Sequence, residues 1–92
     1  MLEESQLKQV KAGTILDNIG EVPNKIYILN KGVMRSYVRL EYGKEVTKSI
    51  FVPIIVLASF DALLHQSPSE SIYETLTDCV ICVIDYHKYK DL

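Results

Sequence analysis

Short apolar runs, broken by turn residues at intervals of roughly eight to twelve positions, limit what this chain can fold into. The runs are Thr14-Ile15-Leu16, Lys25 to Leu29, Val33 to Leu40, Glu45 to Val52, Ile54 to Leu57, Ile72 to Leu76 and Val80 to Ile84. Between them lie Lys11-Ala12-Gly13, the Asp17 to Asn24 loop with Gly20 and Pro23, Asn30-Lys31-Gly32, and Glu41-Tyr42-Gly43-Lys44. Glycine at such turns relieves the Cβ clash that positive φ imposes on other residues. Short strands in this number predict an all-β sandwich or barrel. Ile28, Val46, Ile50, Val56, Leu57, Ile72, Leu76, Val83 and Ile84 are the expected core. Met1 to Val10 reads as the end of a helix or an arm. Tyr86 to Leu92 has the polarity of a helix beginning, with Tyr86, Tyr89 and Leu92 on one side to pack onto the β domain or a second subunit.

Pro53 to Leu76 departs from this pattern. A buried-looking run, Ile54 to Leu57, gives way to Ala58-Ser59, then to a short helix-like piece, Phe60 to His65. The polar loop Gln66 to Ser71 follows, and then a second apolar run. Strand, short helix, loop, strand inside an all-β chain has two readings. One is a ligand cradle, in which free backbone N–H groups suit an anion or a polar ligand. The other is a helical corner that plugs the end of a sandwich.

The chain has 92 residues, enough for one domain, 1–92, with one modest core. A net charge of −2 gives no support for nucleic-acid binding by this chain alone. No run reaches the length of a membrane span, and the charged start MLEESQLKQVK is not a signal peptide. A cytoplasmic protein with no membrane partner and with reduced Cys79 and Cys82 is expected. Those two cysteines form a CxxC, but within a strand positions i and i+3 face opposite sides. Without a second pair or a helix N-terminus, core packing is the better reading than metal or redox work. No metal and no cofactor are expected.

As an ordered set, Gly13-Thr14-Ile15-Leu16, Ile19-Gly20-Glu21, Ile26 to Gly32 and Gly43-Lys44-Glu45 resemble the framework of the cyclic-nucleotide-binding domain, the effector half of Crp/Fnr transcription regulators. Thr77-Asp78-Cys79 and Val80 to Ile84 resemble its closing strands. The resemblance runs from about Lys11 to Leu92 and implies a double-stranded β-helix, or jelly roll, with one short internal helix and helical ends. The dimerising helix and helix-turn-helix of such regulators are not evident. The chain stops where a C-terminal helix is beginning, so a fragment and a minimal domain both stand as readings.

The family's phosphate-binding cassette is where the sequence departs. Nucleotide-binding members carry Gly-Glu before the short helix and Arg-Ser-Ala after it. The Glu bonds the ribose and the Arg pairs with the cyclic phosphate. Here Ala58-Ser59 stands in the first place and Ser69-Glu70-Ser71 in the second. The candidate ligand-binding set is Ala58, Ser59, Phe60, Asp61, Ser69, Glu70, Ser71 and Lys48. The serines offer hydroxyls, although serines also suit loops and helix starts. Lys48 offers a replacement positive charge, although a solvated lysine is the commoner case. Asp61 complements the first turn of the helix. His65 and His87 are expected on the surface. Arg35, Tyr37 and Arg39 share a strand face with Val33, read as exposed or as a docking face for a partner.

The leading expectation is a ligand-sensing effector domain of a bacterial Crp/Fnr-like regulator that does not bind cyclic AMP in the usual way. The ligand is a small molecule of unknown identity, the assembly a homodimer, and DNA contact belongs to a domain outside this chain. The alternative is a non-catalytic interaction or dimerisation module with a vestigial pocket. An enzyme of the cupin type shares the jelly roll but needs clustered histidines around a metal, and two scattered ones do not supply it.

Overall fold

The computed structural model describes residues 5–87. The element order is β1 (Ser5–Val10), β2 (Ile15–Asp17), β3 (Lys25–Lys31), β4 (Met34–Arg39), β5 (Glu45–Phe51), β6 (Ile55–Leu57), α1 (Phe60–His65), β7 (Ile72–Thr75) and β8 (Cys79–Asp85). Two four-stranded antiparallel sheets form, in the orders β1-β8-β3-β6 and β2-β7-β4-β5. Neighbours in a sheet are often distant in sequence, as a rolled double sheet requires. The expected all-β roll with one short internal helix is what the chain forms.

Alternation places the core between the sheets. Tyr27 and Leu29 of β3 and Cys79 and Ile81 of β8 point inward, where they meet Met34 and Leu57. Cys79 is buried and Cys82 half-buried, on opposite faces, and both are free thiols. Gly32 permits the close return of the chain beside β8. A Cβ there would lie 2.6 Å from both the Asp78 carbonyl oxygen and Cys79 Sγ, and φ is +100°.

Several expectations are corrected. The segment before Val10 is a strand, with Ser5 to Val10 paired to Ile84 to Cys79. Strand β8 offers a ladder edge on its far side, and tertiary pairing overrides the polar character of SQLKQV. The helical end expected at the N-terminus is therefore absent over residues 5–10. At the other end Tyr86 and His87 are helical, while Tyr89 and Leu92 lie outside the described residues. In the expected core, Leu57 and Ile72 are buried, but Val46, Ile50, Val56 and Leu76 are exposed. Ile28, Val83 and Ile84 are half-buried. Strand β5 lies at the edge of its sheet, so neither of its faces is sealed. The run Ile54 to Leu57 is likewise not buried as a whole, with Ile54 at 78% exposure. On β3 the inward parity is Tyr27 and Leu29, one residue out of step with Ile28.

Of the face expected to be exposed, Arg39 is exposed but the rest is not. Tyr37 is buried, and the Arg35 guanidinium lies 3.9 Å from its ring centroid. Arg35 Nη2 pairs with Glu45 at 3.0 Å and Glu74 at 2.9 Å, and Arg39 with Glu45 at 3.3 Å. The Arg35 hydrogen bond holds the Glu45 carboxyl below its ordinary range.

Burial decides which apolar residues matter. Leu29→Ala is expected to lower stability in urea by about 2–5 kcal/mol. Ile50→Ala, on the open edge strand, should change it by no more than about 0.5 kcal/mol. Equal losses at the two positions would contradict the inward face assigned to β3.

Candidate functional site

Helix α1 spans six residues and buries Ala62 and Leu63 against the roll. Its Leu63 N–H donates to the Ser59 carbonyl at 2.8 Å. Ser59 stands at the N-cap, yet its side chain makes no capping bond. Its hydroxyl is used elsewhere: Oγ lies 3.1 Å from Asp17 Oδ2 and 3.3 Å from Ser69 Oγ. The helix closes at Gln66, a left-handed residue whose N–H bonds the Ala62 carbonyl.

A cleft of about 270 Å³ opens beside the helix, between its first turn, the 67–71 loop and β5. Of the candidate residues, Lys48, Ser59, Phe60, Asp61, Ser69, Glu70 and Ser71 all line it. Ala58 does not. It is buried beneath the helix start, and its carbonyl accepts from the Tyr73 hydroxyl at 3.4 Å. Ala58 lines a neighbouring hollow that shares Lys48, Phe60, Ser71 and Tyr73 with the cleft. Lys48 reaches this place through a bulge. Ser36 pairs with Ser49 and Tyr37 with Thr47, leaving Lys48 as the extra residue of β5. Bulges re-aim side chains in this way.

Ser69 is the best-held residue of the loop and is only 3% exposed. Its N–H donates to the Glu21 carbonyl at 2.9 Å, and its carbonyl accepts from Gly20 N–H at 3.0 Å. Its hydroxyl donates to the Ser71 carbonyl at 2.8 Å. Thus the loop after β2 clamps the 67–71 loop in place.

Asp17 was not anticipated. It is 7% exposed, with Tyr27 Oη 3.3 Å from Oδ1 and Ser59 on Oδ2. A second bulge accounts for its burial: Ile15 pairs with Glu74 and Asp17 with Tyr73, so Leu16 is the extra residue. Simple alternation would put Ile15 and Asp17 on the same face, but Ile15 is exposed and Asp17 is not. Burial raises the Asp17 carboxyl above its ordinary range, opposed by the Ser59 and Tyr27 hydrogen bonds and aided by the charge of Glu21. Burial, together with Asp17, pushes the Tyr27 phenol well up, and burial raises Tyr73.

The electrostatics of the cleft are those of hydroxyls with a few charges at the rim. Lys48 supplies the positive charge, Asp61 and Glu70 the negative. The chain's two arginines, Arg35 and Arg39, are engaged with Glu45 and Glu74. Both histidines are exposed, with His65 Nδ1 2.9 Å from the Asp61 carbonyl oxygen. Among the described residues no three of His, Cys, Asp and Glu converge as metal ligands. None of the helices there is long and apolar enough to cross a membrane.

Comparison with known proteins adds to this picture. The family model described as the cyclic nucleotide-binding domain matches residues 7–92. No curated protein sequence matches this chain. Among solved structures, the catabolite activator protein of Thermus thermophilus is similar in fold, with a TM-score of 0.85 at 17% identity over 98% of this chain and 42% of that one. The c-di-GMP-responsive global regulator CLP of Xanthomonas campestris has a TM-score of 0.87 at 18% identity, covering 99% of this chain and 44% of its own. The sensor domain of the transcriptional regulator DNR from Pseudomonas aeruginosa has a TM-score of 0.86 at 16% identity, covering 98% and 60%. This chain therefore spans less than two thirds of each of these proteins.

The buried carboxyl gives stability a definite pH dependence. Its folded pKa lies above the unfolded value of about 3.9, so its contribution is full below that pH and is lost as pH rises through the raised value. The Asp17→Asn variant has no carboxyl there to titrate. The urea midpoint of the native chain, measured relative to Asp17→Asn, should fall as pH rises above about 4. A difference independent of pH would contradict the assignment.

Proposed function

The chain belongs to the cyclic nucleotide-binding domain family, and on that premise we propose that it is a ligand-sensing effector domain of a Crp/Fnr-like regulator whose cleft does not take cyclic AMP in the usual way. The observation that carries this is the fate of the positive charge. Both arginines are committed to Glu45 and Glu74 across β4, β5 and β7, and a buried serine, Ser69, stands on the loop after the helix. A cyclic phosphate placed there meets hydroxyls and Lys48 rather than a desolvated guanidinium. Ser59 is neutral, so it adds no charge for a ribose, and its hydroxyl is already shared between Asp17 and Ser69. Glu70 at the rim has the wrong sign for a phosphate.

The ligand is accordingly a small polar molecule, neutral or charged differently from a cyclic nucleotide. Ser59, Ser69 and Ser71 supply hydrogen bonds, Lys48 the one positive contact, and Phe60, Asp61 and Glu70 the walls, with Ala58 beneath the helix start lining the adjoining hollow. One regulator of similar fold is responsive to c-di-GMP, so a response to a molecule other than cyclic AMP has a parallel among proteins that carry this fold. The chain acts in the cytoplasm as a homodimer, and DNA contact belongs to a separate domain. It is not an enzyme: its part is to couple binding at the cleft to a neighbouring element.

A second reading, an interaction module with a vestigial pocket, draws on the exposed apolar side chains Ile50, Val52, Ile54, Val56, Phe60 and Leu64 around β5, β6 and α1. The two readings part on thermal stability. A sensor gains stability with some member of a broad metabolite panel, since binding to the folded state adds to it. An interaction module gains none.

For cyclic AMP itself, titration calorimetry is expected to show no binding at micromolar concentration. Loss of a desolvated arginine partner costs roughly 2–5 kcal/mol, about 30-fold to several-thousand-fold in affinity. Loss of a charge-assisted bond to the ribose costs a further 1.5–3 kcal/mol or so. Introducing Ser59→Glu and Ser69→Arg together should raise the affinity. A micromolar dissociation constant for the native chain would overturn this reading of the cleft.

A further inference from the structure

Counting protons along the buried network separates two states of the cleft. The Ser69 hydroxyl, 2.8 Å from the Ser71 carbonyl oxygen, gives its single proton to that acceptor. Ser69 Oγ therefore accepts in its 3.3 Å contact with Ser59 Oγ. Ser59 also has one hydroxyl proton, and its oxygen lies 3.1 Å from Asp17 Oδ2 as well. If Asp17 is ionised, that proton serves either Asp17 or Ser69, and one of the two contacts is left as oxygen against oxygen. If Asp17 is a neutral acid, Oδ2–H donates to Ser59, Ser59 to Ser69, and Ser69 to Ser71. Every link then has one proton and one acceptor.

We propose that Asp17 is a proton-operated latch on the cleft: as a neutral acid it completes a directed hydrogen-bond chain through Ser59 and Ser69 to Ser71, and as a carboxylate it breaks that chain.

The surroundings favour such a device. Tyr27 faces Asp17 from β3, Ser59 faces it from the helix start, and Glu21 acts from the loop after β2, while Tyr73 of β7 feels the charge of Asp17 and hydrogen-bonds Ser59. None of these is a cation, and no ion pair holds Asp17 among the described residues. Tyr27 has a second acceptor, the Leu16 carbonyl oxygen at 3.4 Å, so its proton is not tied to Asp17. Burial raises the carboxyl, in the direction the neutral state requires. Ser69 in turn is strapped to Gly20 and Glu21 through its backbone. The protonation state of one β2 side chain therefore reaches the 67–71 wall of the cleft.

The consequence for sensing rests on the reading of the cleft as a ligand cradle. The test does not, because it contains no ligand. In a pH titration of the chain by NMR, the amide shifts of Ser69, Ser71 and Gly20 should move with the midpoint of the Asp17 carboxyl carbon. In Asp17→Asn, whose amide donates to Ser59 at every pH, that movement should be lost. In Ser59→Ala the Asp17 carboxyl should still titrate while the Ser69 and Ser71 amides no longer follow it. Loop amides that stay still through the Asp17 midpoint would overturn the latch. Amides that still follow Asp17 in Ser59→Ala would also overturn it, and this variant decides the matter alone if Asp17→Asn does not fold. Failure here leaves the calorimetric test of the cleft untouched, and failure of that test leaves the latch standing.

Discussion

The backbone ladder of β8 joins the two ends of the described chain. It pairs with β1 on one side and β3 on the other, so residues 5–10 and 79–85 share a sheet. That pairing brings the chain after β1 back across to the second sheet, where β2 joins β7. Asp17 ends β2, and β7 follows directly on the 67–71 loop. The polar network of the cleft is thus set up by strand pairings: the β2–β7 ladder places Asp17 opposite Tyr73, and Ser59 and Ser69 lie in the connections outside the strands. Thr75 reinforces the same junction, donating to the Lys11 carbonyl while accepting from the Thr14 amide.

What the cleft lacks is as informative as what it holds. A desolvated guanidinium is a strong partner for a phosphate because its charge is fixed and its donors match the phosphate geometry. Here Arg35 spends those donors on Glu74, Thr47 and Glu45 across three strands of one sheet. The residues near the helix start use hydroxyls, which are neutral and whose protons can reorient. Such a network is specific only when each proton has one acceptor, and that makes a single buried carboxyl consequential. Lys48 adds a positive charge to the cleft from the bulge of the edge strand.

The helix Phe60 to His65 was legible in the sequence because its boundaries are local. Ser59 and the polar Gln66 to Ser71 segment bracket a short piece whose centre, Ala62-Leu63-Leu64, consists of good helix formers. Most strands were legible for the same reason. Their faces were less so: β3 turned Tyr27 and Leu29 inward where Ile28 had been expected. Period-two alternation specifies that two faces exist and not which of them is buried. Lys48 could be named as a cleft residue from its strand, but its unpaired place was not visible. Asp17 was missed because it reads as a loop residue, and the bulge at Leu16 that turns it inward leaves no local mark.

By itself, the sequence determined the succession of short strands, the turn glycines, the short internal helix and the serines on either side of it. These follow from near-neighbour sterics, hydrogen bonding and hydrophobic pattern, which act over a few residues. Only the tertiary structure decided that SQLKQV is a strand, which side of β3 is core, and that Asp17, Ser59 and Ser69 meet. Asp17 and Ser59 lie 42 residues apart and Ser59 and Ser69 ten. Contacts across such separations depend on register and bulges set by pairing partners elsewhere in the chain. Strand pairing is a property of two segments at once, and neither segment carries it alone.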